Sequence, residues 1–533
     1  MGVCCSASLV LATGCIEEVL PTNGATEDQV ISSDMAAKSM LWGMPASMNV
    51  VGIIDQNRHW DWGYGSIMHI RDVFTGDMPI ISSGYNWYSP WEQNQAQGED
   101  YIHPQYLWNF YWQAVLSCNK MLSAVSEESA TEEQLGFLGA GHAWRAHFYL
   151  DMARMFEFLP NDIYASGVNA AGNNVTHLTV PIVRETITEE QSRNNPRATR
   201  DEMATFILED LNKAEELIGY LDVASKAQPH LDVVYGLKAR LYMWLEDYPK
   251  AQEYARKAIA ASRLMPMTET QCLSTSTGFN DISCWMWGSQ MVSEDGVVQT
   301  GILNWTSWMS NETSFGYSSQ EPFLMIDPNL YNRMSNSDFR KKMWKAPEGT
   351  VLDGQTEFLT SALFGNFGNR LPAYASTKFR PANGNCDNHL DGAASAFPLM
   401  RVEEMYFIEA EAAAHQSAKN GLDLLNEFMS KYRDPQYEFE SADSEEVIDE
   451  IIAQKRVELW GEGLSFFDIK RLNMSVTRGY KGTLYSDAVR FNTNGRPAWM
   501  NICIVQIEKN NNKALIGYEN PDPSDTYEPW TAQ

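Results

Sequence analysis

Apolar side chains recur at spacings of three and four along several stretches of the chain, and these are separated by stretches with no period. Glu27 to about Met44 reads as a first helix, with Pro45 following, and residues 103–125 as a second. The clearest pattern runs over 131–159. There Leu135, Leu138, His142, Ala146, Tyr149, Ala153 and Phe156 line one helical face. Thr131 stands where an N-terminal cap belongs, Glu132 and Glu133 occupy the first turn, and Pro160-Asn161 stops the run. Thr199 to Tyr220 forms another amphipathic helix, with Met203, Phe206, Ile207, Leu211, Ala214 and Leu217 facing inward. From about 263 to 397 the periodicity lapses, and Gly, Asn, Ser, Thr and Trp take over. Helical spacing returns at 400–416, 419–432 and 444–460, and the chain after Asn473 is irregular.

Residues 232–262 carry a helix–turn–helix. Tyr235, Ala239 and Tyr242 stand at spacings of four and three, as do Ala251, Ala255 and Ala258 on the next helix, with Asp247-Tyr248-Pro249 between them. This spacing resembles one tetratricopeptide unit, whose small residues let paired helices approach while larger rings fill the groove. One such unit cannot bury both faces, so neighbours must stack on it. The expected fold is therefore mainly α, a tetratricopeptide-like helical superhelix with a loop-rich inserted subdomain at 263–397. A structureless loop that long is uncommon, so the insertion should be compact and packed on the scaffold.

Length and composition refine this picture. The chain has 533 residues, 44% hydrophobic and 12% aromatic, including 17 Trp, enough for a large core. The net charge is −29, and the Lys341-Lys342 and Lys470-Arg471 pairs are too short to make a basic stripe, so nucleic acid is not an expected partner. Eight cysteines occur without a CxxC spacing. That argues against a zinc site or a disulfide framework; Cys272 and Cys284 could pair in a loop, but free, buried thiols are the favoured reading.

The N-terminus adds localisation. Leu9-Val10-Leu11-Ala12-Thr13-Gly14-Cys15 is an apolar run ending in small residues and a cysteine, followed by Ile16-Glu17-Glu18. It resembles a bacterial lipoprotein signal, in which residues 1–14 are removed and Cys15 carries the lipid. Residues 15–26 read as a polar tether, and acids just past the lipidated Cys resemble a surface-export signal. Acyl chains would then anchor the protein to the outer membrane, facing the exterior.

Five segments in order carry a wider resemblance. They are Gly141-His142-Ala143-Trp144-Arg145-Ala146-His147-Phe148-Tyr149-Leu150 with Phe158-Leu159-Pro160; Ile207-Leu208-Glu209-Asp210-Leu211-Asn212-Lys213-Ala214; the unit at 232–262; Met400-Arg401-Val402-Glu403-Glu404 running to Glu409-Ala410-Glu411-Ala412; and Arg456-Val457-Glu458-Leu459-Trp460-Gly461-Glu462-Gly463 with Phe467-Asp468-Ile469-Lys470-Arg471. Together they resemble the SusD/RagB family of outer-membrane nutrient-binding lipoproteins. The family's closing Asn-Pro-Gly-aromatic motif is missing from the tail. The resemblance implies an N-terminal helical region over 27–262, a ligand face shared by loops of that region and the 263–397 insertion, and a C-terminal helical region and tail over 398–533. It also implies a partner, a SusC-like TonB-dependent transporter to which an oligosaccharide is handed. Arg145, Arg401, Glu409, Arg456 and Glu458 read as ion pairs locking facing helices.

Catalytic signatures are missing: no GxSxG, HExxH or GxxxxGK occurs, and His142 and His147, five apart, point to different helix faces. No cofactor or metal is expected, and the protein reads as a binder and not an enzyme. Aromatic clusters are the better lead. Tyr85-Asn86-Trp87-Tyr88-Ser89-Pro90-Trp91 lies on a polar loop, and Trp285, Trp287, Trp305, Trp308, Phe315 and Tyr317 lie in the insertion. Flat rings stack on the apolar C–H faces of sugars while amides bond the hydroxyls. Trp87, Tyr88, Trp91, Asn86, Trp305 and Trp308 are the expected glycan contacts, and Trp285 and Trp287 read as core. A peptide-binding member of the same family, a surface glycoside hydrolase and a bare helical scaffold stay open as alternatives.

Overall fold

The computed structural model describes residues 34–532 apart from Gln56 and Ser82; Cys15 and the residues around it lie outside the described residues. Eleven helices carry the scaffold: α1 (Asp34–Ala46), α2 (Tyr64–Val73), α3 (Ile102–Ala124), α4 (Glu132–Phe156), α5 (Arg200–Leu217), α6 (Leu231–Trp244), α7 (Tyr248–Ser262), α8 (Val402–Gln416), α9 (Ala418–Tyr432), α10 (Ser444–Glu458) and α11 (Ser465–Arg471). Nine of them pack in a running order, α1 and α4 on α3, α5 on α4, α6 on α5, α7 on α6, α8 on α7, then α9 and α10 on α8, while α2 and α11 pack on each other. The chain thus forms a mainly helical superhelix, with α6–α7 as a tetratricopeptide-like hairpin.

Local chemistry sets these boundaries. Thr131 caps α4 in a capping box with Gln134, and Thr199 caps α5 with Glu202. Asp247 caps α7 by accepting the Lys250 amide. Ala251, Ala255 and Ala258 are fully buried where α7 meets α6, and Tyr254 stacks on Tyr242 at 5.5 Å. α4 differs from the one-faced helix its spacing predicts, because from Gly136 almost every residue on it is buried. Glycines make this possible. A Cβ at Gly136 or Gly139 would lie 2.6–2.7 Å from backbone at Tyr220 and Ile218, so only glycine lets the end of α5 approach so closely.

The 263–397 segment is an excursion between α7 and α8, two helices that pack on each other. Its regular strand pairing is slight. Trp287–Gln290 pairs antiparallel with Ala396–Met400, and a two-residue ladder closes a hairpin at Thr360–Asn366. Trp285 and Trp287 are fully buried, as expected, and the Trp287 ring meets Trp144 of α4 edge-on at 4.5 Å. The tail, whose packing the missing motif left open, is tied into the scaffold. The Arg478 guanidinium donates to the carbonyls of Val73, Thr75 and Glu92, and the Asn520 amide donates to those of Phe156 and Ile502.

At the return from the insertion lies a buried ion network. Arg401 donates to Glu458 (3.1 Å) and to both carboxylate oxygens of Glu462 (3.0 Å). Arg433 binds the same Glu458 at 2.7 and 2.9 Å, Arg340 reaches it at 3.2 Å, and Lys378 of the insertion binds Glu462 at 2.7 Å. Burial pushes the Glu458 carboxyl up, but Arg433 and Arg401 outweigh it and hold the group well below the usual carboxylate range. The other charged motif residues pair elsewhere: Arg145 forks onto Asp210 at 2.8 Å, Arg456 pairs with Asp77, and Glu409 pairs with Arg256. The described cysteines are free thiols, Cys118, Cys272, Cys284, Cys386 and Cys503.

Removing one partner of a buried pair leaves the other charge uncompensated, at a cost of about 3–5 kcal/mol. Arg401→Met should therefore destabilise the fold by that amount in urea unfolding. Lys419→Ala, which breaks a surface pair with Asp423 whose side chains are 78% and 60% exposed, should cost under about 1 kcal/mol. Equal effects of the two substitutions would contradict this account.

Candidate functional site

Two loops and the insertion build one aromatic assembly. The Asp61 carboxylate, buried, accepts the backbone N–H groups of Ile53 (3.0 Å), Ile54 (2.6 Å) and Asp55 (3.1 Å), and so shapes the loop that carries His59. In the second loop, Asn86 Oδ1 accepts the Tyr88 amide at 3.2 Å, and Asn86 Nδ2 donates to Glu92 at 2.9 Å. Burial pushes the Glu92 carboxyl up to about 7, with Arg478 and Asn86 acting against the shift. A short helical turn, Ser89–Glu92, then sends Trp91 inward. Tyr85 and Trp87 are left on the outside, 48% and 41% exposed.

The exposed Trp87 ring rests on a stack that reaches into the core. His59 lies parallel beneath it, with centroids 4.3 Å apart at 14°. His59 meets Tyr317 edge-on at 5.7 Å, Tyr317 stacks on Trp308 at 3.9 Å, and Trp308 meets Tyr88 edge-on at 4.8 Å. The Tyr88 hydroxyl accepts from the Trp62 indole and bonds the Ser66 hydroxyl, each at 2.8 Å. Burial keeps the His59 imidazole below its ordinary pKa, so it is neutral at pH 7. Such backing holds the Trp87 face in one orientation.

This geometry corrects most of the expected ligand contacts. Tyr88, Trp91, Trp305 and Trp308 are buried and offer no ring face to solvent. The two aromatic regions do come together, but their rings pack against each other. Trp308 faces Tyr88, Trp91 meets Trp60 and His103, and Trp305 stacks on Phe397 at 5.0 Å. Trp305 and Trp308 lie three apart on a short helix, Trp305–Met309, that is covered on both of those sides. Asn86 is half-buried and its amide is engaged within its own loop, so it positions Trp87. Of the six residues, Trp87 alone presents an open face. Sequence reasoning missed His59, which sits in the polar run Asp55-Gln56-Asn57-Arg58-His59 with no periodic signal. Among the described residues no group of three His, Cys, Asp or Glu could hold a metal ion, and no helix is long and apolar enough to cross a membrane.

Fold and site together define a helical-repeat scaffold that displays a backed aromatic face. Residues 366–530 match the profile of the SusD family, and residues 47–243 match a profile described as starch-binding associating with outer membrane. The chain belongs to the SusD/RagB family. No curated protein matches it by sequence. Among solved structures it is similar to a SusD-like carbohydrate binding protein from Bacteroides vulgatus, with TM-score 0.68 and 21% identity over 90% of this chain and 96% of that one. It is also similar to a SusD superfamily protein from Bacteroides thetaiotaomicron (0.65, 18%, covering 90% and 98%) and to one from Parabacteroides distasonis (0.63, 15%, covering 92% and 98%). At these identities the likeness is one of fold.

His69 lies under the stack, 4.3 Å from Tyr88, with both ring nitrogens buried and without a partner. Burial pushes its pKa down to about 3. Below its ordinary value of 6.5 the unfolded chain takes up a proton that the folded one refuses, so this contribution to stability is lost as pH falls from 6.5 towards 3. Between pH 7 and pH 5 the loss should be about 2 kcal/mol. His69→Phe should keep its stability at pH 7 and lose about 2 kcal/mol less than the parent at pH 5. Urea midpoints at the two pH values check this, and identical shifts in both proteins would refute it.

Proposed function

We propose that this protein is a cell-surface glycan-binding lipoprotein, anchored to the outer membrane through Cys15, that delivers oligosaccharide to a SusC-like TonB-dependent transporter. The observation that carries the reading is the Trp87 ring, 41% exposed yet held flat against His59 by a stack running into the core. An exposed, immobilised indole is suited to the apolar face of a pyranose, because ordering it on binding costs little side-chain entropy. Tyr85, 48% exposed on the same loop, offers a second ring and a hydroxyl. The description of the matching profile, starch-binding associating with outer membrane, supports both the ligand class and the location. The likeness to the Bacteroides vulgatus structure, a SusD-like carbohydrate binding protein, supports the ligand class as well.

In this reading no bond is broken. The mature chain begins at Cys15, a short tether follows, and the two helical regions with the 263–397 insertion between them form one ligand-bearing body. Tethering a binder at a transporter mouth raises the local ligand concentration there by mass action. The glycan is identified on an array with the mature chain. Trp87→Ala should then weaken affinity at least about tenfold, about 1.4 kcal/mol. Trp305→Phe, in the core, should leave affinity within about twofold while lowering stability by roughly 1–3 kcal/mol. Unchanged binding in Trp87→Ala, or no binding across the array, would defeat the proposal. Failure to co-purify an outer-membrane barrel would defeat the partner assignment separately.

A further inference from the structure

A second concave surface lies apart from the Trp87 loop, on the middle of α3. It is a groove of about 340 Å³ with Trp112 on its floor beside Pro181 and Val183. One wall is the short helix Glu189–Ser192 with Arg193, and the other is the tail helix Gln506–Asn511 with Asn512. The walls are stitched together at one end. The Asn195 amide donates to Asn512 Oδ1 at 3.0 Å, Asn512 Nδ2 donates to the Asn195 carbonyl at 2.7 Å, and the Lys513 amide donates to the Arg193 carbonyl at 3.0 Å. The groove is therefore preformed.

Its floor is equally fixed. Trp112 is held by Trp108 at 5.4 Å and, edge-on, by Tyr149 at 6.1 Å. The Tyr149 hydroxyl in turn donates to the Val183 carbonyl (3.2 Å) and accepts its amide (2.8 Å). Trp112 is only partly buried, and its indole N–H is a buried donor with no acceptor. The polar lining mixes donors and acceptors. Arg193 pairs with Glu189 at 2.6 Å, whereas the Glu508 carboxyl has no cation partner among the described residues. Burial pushes the Glu508 carboxyl up, against bonds from Trp108 and Asn512. Asn511 donates to the Ile507 carbonyl, which leaves its side-chain oxygen open.

We propose that this groove is a second carbohydrate-binding site, taking one or two neutral pyranose rings with Trp112 as the stacking face and Glu508, Asn511 and Arg193 as hydroxyl partners. An aromatic floor with a carboxyl that no cation neutralises, an amide and a guanidinium above it suits an uncharged, hydroxyl-rich ring. The Glu189–Arg193 pair leaves the lining too little charged to select a polyanion. About 340 Å³ is at the small end of ligand pockets, which run from about 300 to 1,000 Å³. A wider depression of about 650 Å³ shares Asn195 and gives a longer chain room to leave. The assignment does not depend on Trp87.

The test is ¹⁹F NMR of the full mature chain labelled with 5-fluorotryptophan, with the Trp112 and Trp87 resonances assigned from Trp112→Phe and Trp87→Phe. The probes are maltose, cellobiose, xylobiose, mannobiose and, as a cation control, choline chloride, each to about 10 mM, enough to detect a millimolar Kd. A saturable shift of Trp112 with a disaccharide, retained in Trp87→Ala and weakened at least about fivefold in Glu508→Gln, is the expected result. The inference is overturned if no disaccharide moves Trp112, if choline alone does, or if the shift vanishes in Trp87→Ala. Movement of Trp112 with no sugar response at Trp87 supports this site and counts against the one proposed above; the converse does the reverse.

Discussion

Glu458 and Glu462 receive Arg401, Arg433, Arg340 and Lys378 with every one of these side chains out of water, and the two halves of the molecule are registered on that contact. The chain leaves the superhelix after α7, wanders for well over a hundred residues, and must come back so that α8 packs on α7. Apolar packing would tolerate a small slide between these helices. A fork of charge-assisted hydrogen bonds does not, because any displacement strands a charge in a medium that cannot solvate it. Lys378 comes from the insertion, Arg401 from the residue that opens α8, and Glu458 from the end of α10, so three parts of the chain are locked by one set of distances.

From that anchored body an aromatic stack runs outward: Tyr88, Trp308, Tyr317, His59, Trp87. Each ring fixes the next, and the last is the one that meets solvent. A ring face made this way differs from a mobile loop bearing a tryptophan, since the packing beneath it already sets its orientation. The groove at Trp112 is built on the same plan: an indole on α3 is braced by Trp108 and Tyr149 and walled by elements distant in sequence. In both places the scaffold's rigidity holds an aromatic side chain in one orientation.

Much of the architecture could be read along the chain. Spacings of three and four at Leu135 to Phe156, Met203 to Leu217 and Ala251 to Ala258 mark helices whose limits agree with α4, α5 and α7 to within about three residues, because helical period and capping are local properties. The family also showed in segments matching the regions later found, since those segments hold the charges that lock the helices. Of the rings expected to be open to solvent, only Trp87 is exposed. Its neighbours Tyr88 and Trp91 share its composition and loop, yet a single turn of helix at Ser89–Glu92 directs them inward. Trp305 and Trp308 read as exposed for want of a period, and the insertion folded over them.

By itself, then, the sequence determined helix positions, the break at 263–397 and the class of protein, because each is written in periodicity, capping and motif order over short windows. Only the tertiary structure decided which indole meets water, that His59 backs it, and that Arg401 joins Glu458 while Arg145 joins Asp210. Those outcomes depend on which surfaces the insertion and the tail cover. Covering is a property of the packed chain, and no window of neighbouring residues contains it.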